Sequence, residues 1–197
     1  MKKLLIIFFL FLPSVIFAEE DFEWLPSIKT TGGLISGYIT GFILHETGHQ
    51  LEASRTNTDI SWKMDGVKLT WHTKKNKEDV SRSFYLAGLT TDIVGGTILT
   101  YTLTEPTKNP FLLGLIIFQI TNPIFYVLSH EFMRPEPYET GDICGYESTG
   151  ANPKPLEAFL LLSSLASLYR IMAPSTEVYP LITMNKNLLV IGITKRF

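Results

Sequence analysis

The sequence predicts a mainly α protein: a multi-pass transmembrane bundle of about four spans behind an export signal, with a small β-hairpin between the first two spans. Three observations carry that expectation. Long, mostly apolar stretches cover 32–53, 84–103, 111–129 and 156–172, and their lengths approach the ~20 residues that cross a bilayer. Hydrophobic residues make up 45% of the chain and charged residues only 18%, a bias toward lipid over a water-facing surface. Met1-Lys2-Lys3 and the apolar run that follows have the layout of an export signal.

Residues 1–18 read as that signal peptide or an uncleaved N-terminal anchor, and 19–197 as a single membrane-embedded domain. Ala18 precedes Glu19-Glu20-Asp21, which suits cleavage, although Ile16 is bulky for the position three residues before the cut. Either outcome delivers residue 19 to the outer side.

In the first span Gly33, Gly37 and Gly41 recur every fourth residue, and the same step leads on to His45 and His49. Small residues at that spacing let a second helix approach closely. Beyond it, alternating apolar and polar residues flank Asp65-Gly66, the strongest short-range signal for a hairpin. His72 is placed on that hairpin as an exposed strand residue. The second span contains Asp92, a carboxylate that must face the bundle interior or a wet cavity. Two readings of it stay open: a partner of a metal-bound histidine, or a residue at a helix end. The third span is the clearest, with Asn122-Pro123 as an expected kink. The segment 130–155 reads as a polar loop, 156–172 as a fourth, shorter helix, and 178–197 as a second hairpin around Asn185-Lys186-Asn187.

A net charge of −2 and the absence of a long basic run exclude a nucleic-acid partner. The one cysteine, Cys144, excludes an intrachain disulfide.

Residues His45-Glu46-Thr47-Gly48-His49 carry the chemistry. Side chains four apart on a helix stand one above the other, so both imidazoles can hold one Zn²⁺. Glu46, one step round, can take the proton of a water whose pKa the metal lowers. A catalytic zinc takes three protein ligands and leaves a fourth position to water. Charge distribution indicates where the third arises. The basic segment 54–82 is expected on the cytoplasmic side, in agreement with the export signal. The end of the third span then shares a face with the end of the first, so 130–155 can reach the histidines. Asp142 is the favoured third ligand, with His130 and Glu131 as rivals and Glu139 and Cys144 behind them.

These residues resemble the site-2 protease family of intramembrane zinc metalloproteases. The resemblance rests on Phe42-Ile43-Leu44-His45-Glu46-Thr47-Gly48-His49 and spans roughly 32–145. Ala87-Gly88-Leu89-Thr90-Thr91-Asp92 is similar to a degenerate form of that family's Gly-Pro-x-x-Asn stretch, with Asp92 at the Asn place. Leu89 replaces its proline, and Gly141-Asp142-Ile143 is a loose counterpart of its Leu-Asp-Gly. The expected function is a zinc endopeptidase, with Glu46 catalytic and His45, His49 and Asp142 on the metal. Its expected substrate is a membrane protein or peptide, and its expected place is the bilayer of a bacterial inner membrane. The alternatives are a non-catalytic zinc-binding membrane protein and an exported soluble metallopeptidase. Oligomeric state has no sequence signal.

Overall fold

The computed structural model describes residues 28–65, 68–73, 79–102, 108–133, 141–173, 178–185 and 188–195. The expected signal at 1–18, the hairpin turn at Gly66, Glu139 and Lys186 lie outside the described residues.

The described chain is mainly helical, with two small antiparallel hairpins. In order come α1 (Ile28–Arg55), β1 (Ile60–Asp65), β2 (Lys68–Thr73), α2 (Arg82–Thr102), α3 (Pro110–Leu128), a π turn (Ser129–Met133), α4 (Asp142–Ser148), α5 (Lys154–Met172), β3 (Val178–Asn185) and β4 (Leu188–Lys195). The first hairpin pairs Trp62 with Trp71 and Asp65 with Lys68; the second pairs Asn185 with Leu188. Both fall where turn chemistry between alternating residues placed them.

The small-residue ridge of α1 is the seam along which α1 and α3 meet. A Cβ on Gly37 would lie 1.9 Å from the Phe111 carbonyl oxygen, and one on Gly114 of α3 would lie 2.1 Å from the Leu34 carbonyl. Neither helix could approach the other so closely with larger residues there. One turn below, Gly41 faces the Phe118 ring. α3 itself starts sharply because Asn109 Oδ1 accepts from the backbone N–H groups of Phe111 and Leu112, with Pro110 at the first helical position.

Three apolar clusters tie the helices together. Leu89, Val127, Ile143, Leu156 and Leu160 join α2, α3, α4 and α5. Ile116 and Ile120 of α3 pack on Ile171 of α5. Ala53, Val80, Phe84 and Tyr85 receive Ile60 and Trp71 from the first hairpin. That hairpin is also tethered by a hydrogen bond from Trp62 Nε1 to Gln50 Oε1, 2.8 Å long.

Among the described residues, two helices are long and apolar enough to cross a membrane: α3 with its π turn, Pro110–Met133, and α5. α1 and α2 are long enough, at 28 and 21 residues, but their glycine, threonine and charged positions dilute them. Pro123 lies inside an unbroken α3; the irregularity comes later, as the π turn. The described part of 130–155 is not a loop. It holds that π turn, the short helix α4 and the start of α5, because Ile143 and Leu156 supply apolar faces for the core.

Candidate metal centre

Three elements bring the centre together. His45 and His49 stand one turn apart near the end of α1, both about 1% exposed. Asp142 is the first residue of α4 and is equally hidden. Gly141, which precedes it, has φ of +146°, a backbone conformation that a side chain would disfavour. A turn further on, Gly145 lies against Tyr85 so tightly that a Cβ would come 2.0 Å from the ring. These two glycines set α4 down on α2 with Asp142 pointing at the histidines.

His45 Nε2 and His49 Nε2 are 3.3 Å apart, and each is 3.2 Å from Asp142 Oδ2. The three donor atoms form a nearly equilateral triangle. A tetrahedral ion with bonds of about 2.0–2.1 Å keeps its ligands about 3.3 Å apart, so the triangle has the dimensions such an ion requires. Among the described residues, His45, His49 and Asp142 form a group that could hold a metal ion.

The ring nitrogens on the far side are engaged, which leaves both Nε2 lone pairs to face the triangle. His49 Nδ1 donates to the Phe84 carbonyl oxygen at 2.8 Å. His45 Nδ1 donates to Asp92 Oδ2, also at 2.8 Å. Histidines that bind metals are usually oriented in this way, by a carbonyl or a carboxylate on the second nitrogen. Asn122 Nδ2 donates to the same Asp92 oxygen at 2.8 Å and steadies it. Asp92 is therefore no helix-end residue: it is 0% exposed and touches His45. Asp142 brings a carboxylate oxygen, the usual acidic partner of two histidines on a metal, to the same face.

Gly88 on α2 lies against both rings. A Cβ there would come 2.4 Å from His49 Nε2 and 2.5 Å from both Nε2 and Cε1 of His45, so only glycine lets α2 pack this close to the imidazoles. Donor set and spacing fit a divalent cation.

Glu46 is half-buried, with Oε2 out of contact with water and with no hydrogen-bond partner among the described residues. The charges near it are those of His45, His49, Asp142 and Asp92. A cleft of about 350 Å³ opens beside the centre, between α1 and α3, lined by Tyr38, Ile39, Phe42, Phe118, Asn122 and Phe125. Asn122 lines the cleft and also donates to Asp92, the partner of His45; none of His45, Glu46, His49 and Asp142 lines it.

The rival ligands lie elsewhere. His130 is buried in a second cluster, with Nδ1 at 2.5 Å from Glu157 Oε1 and Nε2 at 3.1 Å from Glu147 Oε2. Glu131 and Glu157 both bond Lys154 Nζ, at 2.6 and 3.1 Å. Cys144 belongs to neither group of donors among the described residues and lines a small cavity together with His130. His72 is exposed on β2, as expected. Sequence reading missed the placement of Asn122 and Tyr126 beside the centre. Asn122 had a signal, an amide in the most apolar helix; Tyr126 had none that distinguishes it from a packing residue, and Gly88 entered only through the resemblance to the Gly-Pro-x-x-Asn stretch.

Comparison with known proteins yields no family model, no curated protein and no solved structure that matches this chain.

Proposed function

We propose that this protein is a membrane-embedded zinc endopeptidase of the site-2 protease kind. The observation that carries the reading is the triangle of His45, His49 and Asp142, with the unpartnered Oε2 of Glu46 on the same helix as the two histidines. The donor set of two imidazoles and one carboxylate is a zinc set, and no fourth His, Cys, Asp or Glu joins it among the described residues. That favours a catalytic over a closed structural site. When bound, the metal would supply Lewis-acid polarisation of the scissile carbonyl and a lowered water pKa.

The chain's own groups do the rest. Glu46 accepts a proton as the water oxygen bonds to the carbonyl carbon. It returns that proton to the amide nitrogen as the C–N bond breaks, so that a carboxylic acid and an amine leave. Asp92, held by Asn122, fixes the tautomer of His45, and the Phe84 carbonyl fixes that of His49. The cleft between α1 and α3 suits apolar side chains of a substrate arriving from the lipid side. The exposed edges of the β1–β2 hairpin could pair with an extended substrate strand.

Membrane embedding of all four long helices is part of the same proposal, with the inner membrane of a bacterial cell as its place. α3 and α5 qualify by composition. For α1 and α2 the support is the set of bare apolar residues on their outer faces: Ile35, Ile39, Ile43, Val94 and Ile98 are each half exposed or more. Such rows on several faces of one small protein suit lipid better than water. An exported soluble metallopeptidase is the second reading, favoured by the modest apolarity of α1 and α2. Release by alkaline carbonate would select it.

The central test uses the purified full chain and a membrane-bound reporter substrate. Glu46→Gln is expected to keep about one zinc per chain and to lose turnover by about 10²–10⁴-fold. Unchanged turnover in that variant, or a wild-type chain that holds no zinc, refutes the reading.

A further inference from the structure

The observations around His45 extend to a residue that sequence reading left aside. Tyr126 lies on α3 with its ring stacked on His45, centroids 5.6 Å apart and planes 17° from parallel. Its hydroxyl oxygen is 3.4 Å from His45 Nε2. His49 Nε2 and Asp142 Oδ2 stand 3.3 and 3.2 Å from that same nitrogen. The phenol therefore reaches the donor face of the centre at nearly the spacing of the donors themselves.

We propose that Tyr126 is a further catalytic residue of this centre, whose O–H hydrogen-bonds the substrate carbonyl oxygen as that oxygen gains negative charge. The proposal rests on the metallopeptidase reading above. Its logic is one of hydrogen-bond accounting. His45 gives its Nδ1–H to Asp92, so its Nε2 carries a lone pair, and the phenol O–H donates to that lone pair over a long 3.4 Å. A cation that takes the lone pair removes the acceptor. The hydroxyl has no other hydrogen-bond partner among the described residues, and it is left beside the donor face with a proton to give. The acceptor that arrives there during peptide hydrolysis is the carbonyl oxygen of the substrate.

The placement suits that task. The stack on His45 holds the ring before substrate binds, so little reorganisation is needed when charge develops. A phenol can donate without carrying a charge of its own, which matters in a site already holding Glu46, Asp92 and Asp142. The phenolic proton stays on Tyr126 throughout; the proton that moves is the one Glu46 handles. The two tasks come from different helices, proton transfer from α1 and charge stabilisation from α3.

The test compares wild type, Tyr126→Phe and Tyr126→Leu as full chains loaded with Co²⁺, which reports through its visible absorption. Tyr126→Phe keeps the stacked ring and loses only the hydroxyl. It is expected to bind Co²⁺ within about threefold of wild type and to lose kcat by about 10²–10³-fold with little change in KM. The pH midpoint of its visible absorption should move upward, since a deprotonated oxygen at the open corner loses a donor. Tyr126→Leu, which also loses the stack, should weaken Co²⁺ binding. An unchanged kcat and pH midpoint in Tyr126→Phe overturns the proposal, and so does a loss of Co²⁺ affinity beyond about tenfold, which would make the phenol a ligand. A wild-type chain that takes up no Co²⁺ overturns the underlying metallopeptidase reading instead.

Discussion

His45 Nε2 and Asp142 Oδ2 lie 3.2 Å apart, although α2, α3 and the π turn come between them in the chain. Both atoms carry lone pairs directed at one another across a buried space, and His49 Nε2 makes a third. Atoms of that kind stay together only where a proton or a cation sits between them, since an unpaired buried charge costs several kcal/mol. The convergence therefore has direct consequences for substitution.

On the proposed reading, Gly88→Ala should weaken metal binding by displacing the rings. The added methyl would stand 2.4–2.5 Å from His49 Nε2 and from Nε2 and Cε1 of His45, so the imidazoles must shift, while alanine in a helix is favoured over glycine by about 1 kcal/mol. The expected result is a drop in zinc affinity of about 100-fold or more with helical content unchanged, read by chelator competition and circular dichroism. Affinity equal to wild type would show that the metal does not depend on these ring positions.

Asp92 acts through His45. Asp92→Ala removes the acceptor for His45 Nδ1–H and should weaken zinc binding by about 10–100-fold. Asp92→Asn, whose side-chain oxygen can still accept, should lose less. A graded series measured by competition with a chromophoric chelator checks this, and an Asn variant weaker than the Ala variant would contradict it.

His130 separates the two clusters. His130→Leu should leave zinc stoichiometry at the wild-type value, because its ring bonds Glu157 and Glu147 and lies apart from the donors of the centre. It should nevertheless lower stability by about 1–3 kcal/mol, since Glu157 is buried and loses a partner. Metal analysis and thermal unfolding in detergent measure the two effects separately. A zinc-free variant would return His130 to the list of ligands.

Much of the centre is legible in the chain because it is local. His45, Glu46 and His49 sit within five residues, and helix geometry alone puts both rings on one face. The Gly33-Gly37-Gly41 row is equally local, and it does meet a helix at close range. Counting spans placed Asp142 within reach of the histidines, though in a stretch read as a loop. Its position as the first residue of a helix depends on Ile143 finding the core formed by Leu89, Val127 and Leu160.

The sequence by itself determined which helix carries the paired imidazoles, where the chain turns into hairpins, and which small residues let helices close up. Those are consequences of spacing along one segment. Tertiary structure alone decided that Asp142 and not His130 meets the imidazoles, that Asp92 and Asn122 lie beside His45, and that Gly88 lets α2 close on both rings. It also decided that the partner of the glycine row is α3. Each of these depends on the rotation and depth at which separate helices pack. Packing is set by the sum of many apolar contacts across elements, and no short stretch of sequence contains that sum.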